Sequence, residues 1–273
     1  MQKCNKEQIY ESIDLQEHDV ILYLGGRIDD DNLYPPEYVE YLKDEVERLN
    51  PTKIICHNYW YAKKYYEKGI LAEDTKIDMI LNYFHYFLKG DLQTINPAEY
   101  SDHRSWIKIL TEKNPNLVYA LYMFPGKTYN PNDPKLNGEL FGEDYNLNNL
   151  KYFNIEREYS PKRFDNRGWT IGSALSHGDR ERNATDGFSI LTGLVDAGFR
   201  NLNILGFTAF GSDEDQSHHT AYKYERFAGQ KYFNLNTSED QKAEADILQS
   251  MTLTGKINNL ENYDKLMQCL KEK

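Results

Sequence analysis

The stretch GFSILTGLVDAGFRNLNILGF, residues 187–207, decides the fold class of this chain. Its first part, 187–197, spaces apolar side chains as one face of a helix, and Gly198 follows as a helix stop. Its second part, 202–207, is a short apolar run typical of a buried strand. A helix followed directly by a buried strand is the repeating unit of a parallel sheet covered by helices.

The same alternation continues along the chain and predicts one α/β domain over residues 1–273, with a mostly parallel sheet and helices on both faces. Further strands are predicted at 18–24, 52–57, 116–124 and 152–155. Further helices are predicted at 36–49, 59–69 and 105–112, and C-terminal helices at 239–273. The segment 78–88 fits either a strand or a helix, and 127–149, rich in Asn, Asp, Pro and Gly, is predicted to be a long loop or lid.

The charge, the cysteines and the apolar content of the sequence limit which partners, metal sites and locations are expected. The formal net charge of −11 repels phosphate backbones, so nucleic acid is not expected as a partner. Cys4, Cys56 and Cys269 lack the spacing of a disulfide framework or a zinc site. Polar opening residues and the lack of a long apolar stretch predict a cytoplasmic protein with no transmembrane segment. Its attachment to the inner membrane, if any, would be peripheral, through an acceptor or a partner.

Two small residues follow the first predicted strand and indicate a nucleotide site. Gly25 and Gly26 would let a phosphate or ribose approach the backbone, although they fit a plain strand-ending turn equally well. No GxGxxG pattern is present. The run 29–31, three aspartates, fits a solvated loop better than a metal site.

Three other places carry candidate chemistry. Asp186, at a helix start, is either a nucleophile or base, or only a helix cap. His218 and His219 follow the last strand of the 187–207 unit, where a histidine can deprotonate a hydroxyl; the alternative is an exposed loop pair. His57 and Asn58 end the second strand and occupy a similar crevice position.

The segment 182–207 resembles the sialyltransferases, both the bacterial lipooligosaccharide enzymes and the animal-type ones. Those families show a Thr/Ser-Gly step that opens a helix, a glycine that ends it, a strand that closes with glycine, and a catalytic histidine further on. The matching residues here are Thr185, Gly187, Gly198, Gly206, and His218 or His219. The resemblance covers about 40 residues well and the remainder only by strand order.

This resemblance implies a Rossmann-like glycosyltransferase that needs no metal and no cofactor beyond its donor. The donor it implies is a CMP-activated acidic sugar, sialic acid or Kdo, and the acceptor a surface glycan, lipid-linked in some versions. The CMP site would be lined by Gly25, Gly26, Arg27, His57, Asn58, Thr185, Gly187 and Gly206, and the catalytic residues would be Asp186, His218 and His219. The candidate donors to the sugar carboxylate and the CMP phosphate are Arg27, Arg180, Arg182 and the helix start after Asp186.

The chain departs from the family at several positions. Thr208 stands where the family has an aspartate, and Phe210 stands where it has a phosphate-facing tyrosine. Asp186 replaces a small hydroxyl residue, and a carboxylate beside the anomeric carbon suits a covalent glycosyl-enzyme and retention of configuration. Retaining Kdo transferases with a similar fold are thought to work in this way, which favours Kdo over sialic acid as the donor.

Two other classes of function fit the sequence. A metal-dependent hydrolase or phosphotransferase would use Asp29, Asp30, Asp31, His218 and His219, and chelators would inactivate it. A non-catalytic glycan-binding subunit would present an aromatic surface and would not bind CMP. The residues of that surface would be Trp60, Tyr61, Tyr65 and Tyr66.

Overall fold

The protein is an α/β structure built on one parallel sheet, seen in a computed structural model. The structure describes residues 11–26, 28, 34–83, 97–122, 150–152, 191, 194–195, 199–207 and 248–271. Among these residues, seven strands lie in the order β5-β4-β3-β2-β1-β6-β7, and every neighbouring pair is parallel. The prediction of an α/β fold with a mostly parallel sheet is confirmed.

The elements follow one another along the chain as the alternating pattern predicts. The strands are β1 (Ile21–Leu24), β2 (Lys53–Cys56), β3 (Met79–Tyr83), β4 (Val118–Tyr122), β5 (Leu150–Tyr152), β6 (Leu202–Leu205) and β7 (Ile257–Asn259). The helices are α1 (Pro36–Leu49), α2 (Tyr59–Glu67), α3 (Pro97–Lys113) and α4 (Tyr263–Lys271). Leu191, Leu194 and Val195 are also helical, which agrees with the predicted helix at 187–197. Within the ambiguous segment 78–88, Met79–Tyr83 forms a strand, β3.

The prediction of C-terminal helices at 239–273 was wrong at 257–259. Those residues form β7, which pairs with β6 from Leu202↔Ile257 to Ile204↔Asn259. Two of the three residues in β7 are asparagines, so the strand has no apolar run from which it could have been predicted. It forms because β6 offers a free row of backbone groups, and a partner strand satisfies them. The long loop predicted at 127–149 lies outside the described residues.

The core lies on both faces of β1. All four of its residues are buried, as a central parallel strand requires. Leu22 and Leu24 belong to a cluster that also holds buried side chains of all four helices, while Ile21 and Tyr23 are buried outside that cluster. Leu191, Leu194 and Val195 are likewise buried outside it. The strand is therefore covered from both sides, and its two ends are where functional groups can gather.

Helix α1 begins and ends where its sequence signals predict. Pro35 is its N-cap residue and Pro36 occupies the first turn, where proline costs no hydrogen bond. Tyr38, Leu42 and Val46 form its buried face. Asn50 ends it in the left-handed conformation, with φ of 48°. The same turn leads directly into β2, so α1 fixes the crossover between two neighbouring strands.

A buried aspartate joins the amino ends of β1 and β2. Asp19 accepts hydrogen bonds from the Gln16 backbone N–H at 2.7 Å and from the Thr52 hydroxyl at 2.6 Å. Burial works to raise the pKa of this carboxyl group, but the two hydrogen bonds and the charge of Lys53 outweigh it and leave the pKa below its ordinary value. A carboxyl group with a lowered pKa stabilises the fold above its unfolded pKa, about 3.9, and this stabilisation is lost as the pH falls through the folded value.

We therefore expect Asp19→Asn to lower the free energy of unfolding at pH 7 by about 1.5–3 kcal/mol, the range for a hydrogen bond to a charged group. The loss should shrink as the pH falls below about 4, because the wild-type carboxyl group then also becomes neutral. Urea unfolding at pH 7 and pH 3 measures both values. Asp44→Asn, at an exposed position on α1, is the control. A loss that is equal at the two pH values would contradict this account.

Candidate functional site

The direction of strand addition changes beside β1, and this defines the candidate site. The chain adds strands on one side of β1 up to β5, then returns to place β6 and β7 on the other side. Leu24 at the end of β1 is in register with both Cys56 and Leu205. In open α/β sheets, ligands bind outside the carboxyl ends of strands at such a switch point. The carboxyl ends of β1, β2 and β6 are therefore the place to look for binding groups.

Five of the predicted binding residues lie together at this edge: Gly25, Gly26, His57, Asn58 and Gly206. The Gly25 N–H donates to the Leu205 carbonyl at 2.7 Å, and the His57 N–H donates to the Leu24 carbonyl at 2.9 Å. The sheet ladder therefore continues one residue beyond each strand.

The other predicted site residues fall outside the part of the chain that the structure describes. They are Arg27, Asp29, Asp30, Asp31, Arg180, Arg182, Asp186, Thr185, Gly187, His218 and His219. Their predicted roles stay predictions.

Gly25 and Gly206 are required by the packing of the strand ends against each other. A Cβ on Gly25 would lie 2.6 Å from the Gly206 carbonyl oxygen and 2.7 Å from the ring of Phe207. Gly206 has φ of +83°, and a Cβ there would overlap the Tyr65 hydroxyl. These contacts explain both glycines without a ligand, which supports the strand-ending turn as the simpler interpretation of Gly25.

Gly26 and His57 meet at the ring of Tyr61. A Cβ on Gly26 would overlap that ring and lie 2.8 Å from its hydroxyl oxygen. The His57 imidazole stacks on the same ring, with centroids 6.0 Å apart and planes at 21°. His57 is only 8% exposed. The arrangement holds an imidazole in a fixed orientation just beneath the carboxyl edge of the sheet.

Asn58 has a structural role that the sequence did not assign to it. Its side-chain oxygen accepts a hydrogen bond from the Trp60 N–H at 3.0 Å and caps α2. The cap sets the N-terminus of α2 directly after β2, at the candidate edge. The first turn of α2 has no acidic residue, so the partial positive charge of the helix start is not neutralised within that turn. Such a helix start attracts anions.

Tyr65, on α2, forms hydrogen bonds with the ends of both β1 and β6. Its hydroxyl lies 3.1 Å from the Gly25 carbonyl oxygen and 3.0 Å from the Leu205 carbonyl oxygen, and its single proton is shared between them. The ring is completely buried. Burial, followed by the charges of nearby groups, raises the pKa of Tyr65 far above its ordinary value, so the hydroxyl stays a donor.

Cys56 at the end of β2 is not suited to nucleophilic chemistry. Its thiol donates to the Asn58 carbonyl oxygen at 3.2 Å. Burial raises the pKa of the thiol well above its ordinary value, which suppresses the reactive thiolate. Cys56 is therefore a packing residue of this edge.

Two polar residues at the same edge, Glu261 and Tyr34, were not predicted from the sequence as site residues. Glu261 follows β7 and is 7% exposed, and Tyr34 precedes α1 and is 2% exposed. The Tyr34 hydroxyl donates to Glu261 Oε1 at 2.6 Å, and the Phe207 N–H donates to Glu261 Oε2 at 3.2 Å. A carboxylate shortly after the end of a strand can indicate a site residue. This pattern can be recognised only when the strand is known, and β7 could not be identified from the sequence.

The four aromatic residues proposed for a glycan-binding surface are largely packed into the protein. Tyr65 is buried, and Trp60, Tyr61 and Tyr66 are partly buried against the core cluster. Tyr66 stacks on Trp106 with centroids 6.4 Å apart, and its hydroxyl donates to the Thr75 carbonyl oxygen at 2.7 Å. These contacts join α2 to its surroundings. They favour packing over carbohydrate binding as the role of the four rings.

Within the part of the chain that the structure describes, no three His, Cys, Asp or Glu side chains come together in a way that could hold a metal ion. Among the same residues, no helix has the length and apolar character needed to cross a bilayer.

Comparisons with known proteins add no family to this picture. No protein-family model, no curated protein and no solved structure matches the chain. The resemblance of 182–207 to the sialyltransferases therefore stays a prediction from those residues.

Proposed function

We propose that the chain is a glycosyltransferase that moves an acidic ulosonic sugar, Kdo or sialic acid, from a CMP donor to a surface-glycan acceptor. The observation that carries the proposal is the switch point between β1 and β6, where Gly25, His57 and Gly206 meet at the carboxyl edge of a parallel sheet. The resemblance of 182–207 to CMP-sugar enzymes supplies the choice of nucleotide. No metal or further cofactor is required on this proposal.

The edge offers groups suited to an anionic nucleotide. The N-terminus of α2 supplies partial positive charge and the imidazole of His57 supplies a polar ring beside it. On this proposal the CMP phosphate lies at that helix start, and Arg27, Arg180 and Arg182 are the candidate partners for the sugar carboxylate. The glycines act indirectly, because they let the strand ends close on one another below the ligand.

The proposed chemistry is displacement at the anomeric carbon. His218 or His219 takes the proton of the acceptor hydroxyl, the hydroxyl oxygen bonds to the anomeric carbon, and CMP departs with the electrons of its former bond. If configuration is retained, Asp186 first displaces CMP and forms a glycosyl-enzyme, which the acceptor then resolves. Otherwise Asp186 caps its helix. The acceptor is a glycan, and a lipid-linked acceptor would bring the protein to the inner membrane.

A thermal-shift titration of the purified protein with CMP, UDP, GDP and ATP, each with and without EDTA, tests this proposal. At a hundredfold excess over Kd, a bound nucleotide adds about 2.7 kcal/mol to the free energy of unfolding. For a chain of this size, CMP should then raise Tm by about 5 °C or more. The other nucleotides should have little effect, and EDTA should not change the response to CMP.

Two outcomes would overturn the proposal. If CMP leaves Tm unchanged at millimolar concentration, the chain is not a CMP-sugar transferase. If stabilisation requires a divalent metal, the hydrolase or phosphotransferase that would use Asp29, Asp30 and Asp31 becomes the better hypothesis.

A further inference from the structure

Glu261 links two chain segments that border the switch point. Its Oε1 accepts from the Tyr34 hydroxyl at 2.6 Å, where the chain enters α1. Its Oε2 accepts from the Phe207 N–H at 3.2 Å, where the chain leaves β6. Its own N–H donates to the Asn259 side-chain oxygen at 3.0 Å, which fixes it to the end of β7. One carboxylate thus joins the start of α1 to the end of β6.

Neighbouring contacts hold this linkage rigid. Tyr34 stacks on Tyr38 with ring centroids 5.8 Å apart, and the Tyr38 hydroxyl accepts from the Asn262 N–H at 2.9 Å. Burial raises the pKa of Tyr34 well above its ordinary value, and the charge of Glu261 and the hydrogen bond to it raise it further. Tyr34 therefore stays a hydroxyl donor across the working pH range, and Glu261 stays its acceptor.

We propose that Glu261 is a positioning residue of the candidate site. Each of its oxygens has a donor within the protein, so it acts through the segments it holds and not by contact with a ligand. By joining Phe207 to Tyr34, it fixes the residue that follows the Gly206 turn relative to the start of α1. Phe207 lies at the carboxyl edge of the sheet, where its ring centroid is 5.2 Å from that of Tyr23 in β1. This inference rests on the proposed function, because that edge is the proposed nucleotide site.

Two variants separate the two halves of this linkage. Glu261→Met keeps the length of the side chain but removes both acceptor oxygens, so the Phe207 N–H and the Tyr34 hydroxyl lose their partner. Tyr34→Phe removes only the hydroxyl. Tyr66→Phe is the matched control for Tyr34→Phe, because its hydroxyl donates to the Thr75 carbonyl oxygen ahead of β3, away from the carboxyl edge. Tyr34→Phe and Tyr66→Phe each lose one hydrogen bond of a buried or partly buried side chain.

The experiment measures amide hydrogen exchange of Phe207 by NMR in the ligand-free protein, and the Kd for CMP by calorimetry. In Glu261→Met, the Phe207 amide should exchange faster by a factor between about five and one hundred, the range for one unmade buried bond. The Kd for CMP should rise by a similar factor in Glu261→Met and in Tyr34→Phe. Tyr66→Phe should leave both quantities unchanged, even though its global stability falls.

Each result decides the proposal. Unchanged exchange at Phe207 in Glu261→Met overturns the linkage itself. Faster exchange with an unchanged Kd overturns the positioning role and leaves Glu261 as a purely structural residue. If the wild type binds no CMP, the proposed function fails and the positioning role with it, while the exchange data alone still show whether Glu261 holds Phe207. If Glu261→Met does not fold, Tyr34→Phe supplies the Kd comparison.

Discussion

Gly206→Ala is expected to lower the free energy of unfolding by about 2–5 kcal/mol, from positive-φ strain and overpacking together. Gly206 has φ of +83°, a conformation that costs little only for glycine. A Cβ there would overlap the Tyr65 hydroxyl and lie 2.8 Å from the Gly25 carbonyl oxygen. The Gly25 backbone cannot move easily, because its N–H is bonded to the Leu205 carbonyl. Backbone strain and steric overlap would therefore both arise from the Cβ atom added at position 206.

Gly255→Ala separates these two contributions. Gly255 has φ of +65°, and a Cβ built there meets nothing within 4 Å. The control should cost only the conformational strain, about 1–2 kcal/mol. Urea unfolding of the wild type and both variants gives the comparison. Equal losses in the two variants would mean that the strand ends are not packed as tightly as the contacts at Gly206 indicate.

Tyr65→Ala is expected to cost about 3–5 kcal/mol, the range for removal of a large buried aromatic side chain. The ring is completely buried beneath the ends of β1 and β6, and its hydroxyl satisfies the Gly25 and Leu205 carbonyl oxygens. Tyr65→Phe keeps the ring and should cost about 1–3 kcal/mol, because two buried carbonyl groups lose a donor. The difference between the two variants measures the contribution of the ring.

The double variant Tyr65→Phe with Gly206→Ala tests whether the two residues act on each other. Without the hydroxyl, the added Cβ at position 206 loses the atom it would overlap most closely. The double variant should therefore lose at least about 0.5 kcal/mol less than the sum of the single losses. Additive losses would show that the strain at Gly206 arises from its backbone conformation alone.

The central part of the sheet could be predicted because its strands carry apolar runs. Ile21–Leu24, Lys53–Cys56 and Leu202–Leu205 are nearly all buried, and such runs stand out in a sequence. Edge strand β7 could not be predicted in this way. Only Ile257 is buried among its three residues, and its pairing with β6 comes from the backbone. Helix α3 also begins earlier, at Pro97, than its predicted start at 105.

In the candidate site too, residues next to a predicted strand could be located from the sequence, whereas contacts between residues far apart in the chain could not. Gly25, His57 and Gly206 could be placed at one edge, because each directly follows a strand that the sequence reveals. The bond between Tyr34 and Glu261 joins residues 227 positions apart, and no local pattern predicts such a contact. The contacts that make glycine necessary at 206 also come from elsewhere in the chain, chiefly from Tyr65. Sequence patterns identified the edge, and the fold supplied the reasons for its residues.

Hydrogen exchange of the wild-type protein with and without saturating CMP tests the central claim, that the switch point binds the nucleotide. The account predicts slower exchange on CMP binding at 24–26, at 57–61 and at 205–207, the segments at the carboxyl edge beside β1. The amino edge around Asp19 and Thr52 should be unaffected apart from a uniform gain in global stability. Protection confined to the amino edge, or no protection anywhere, would contradict the claim.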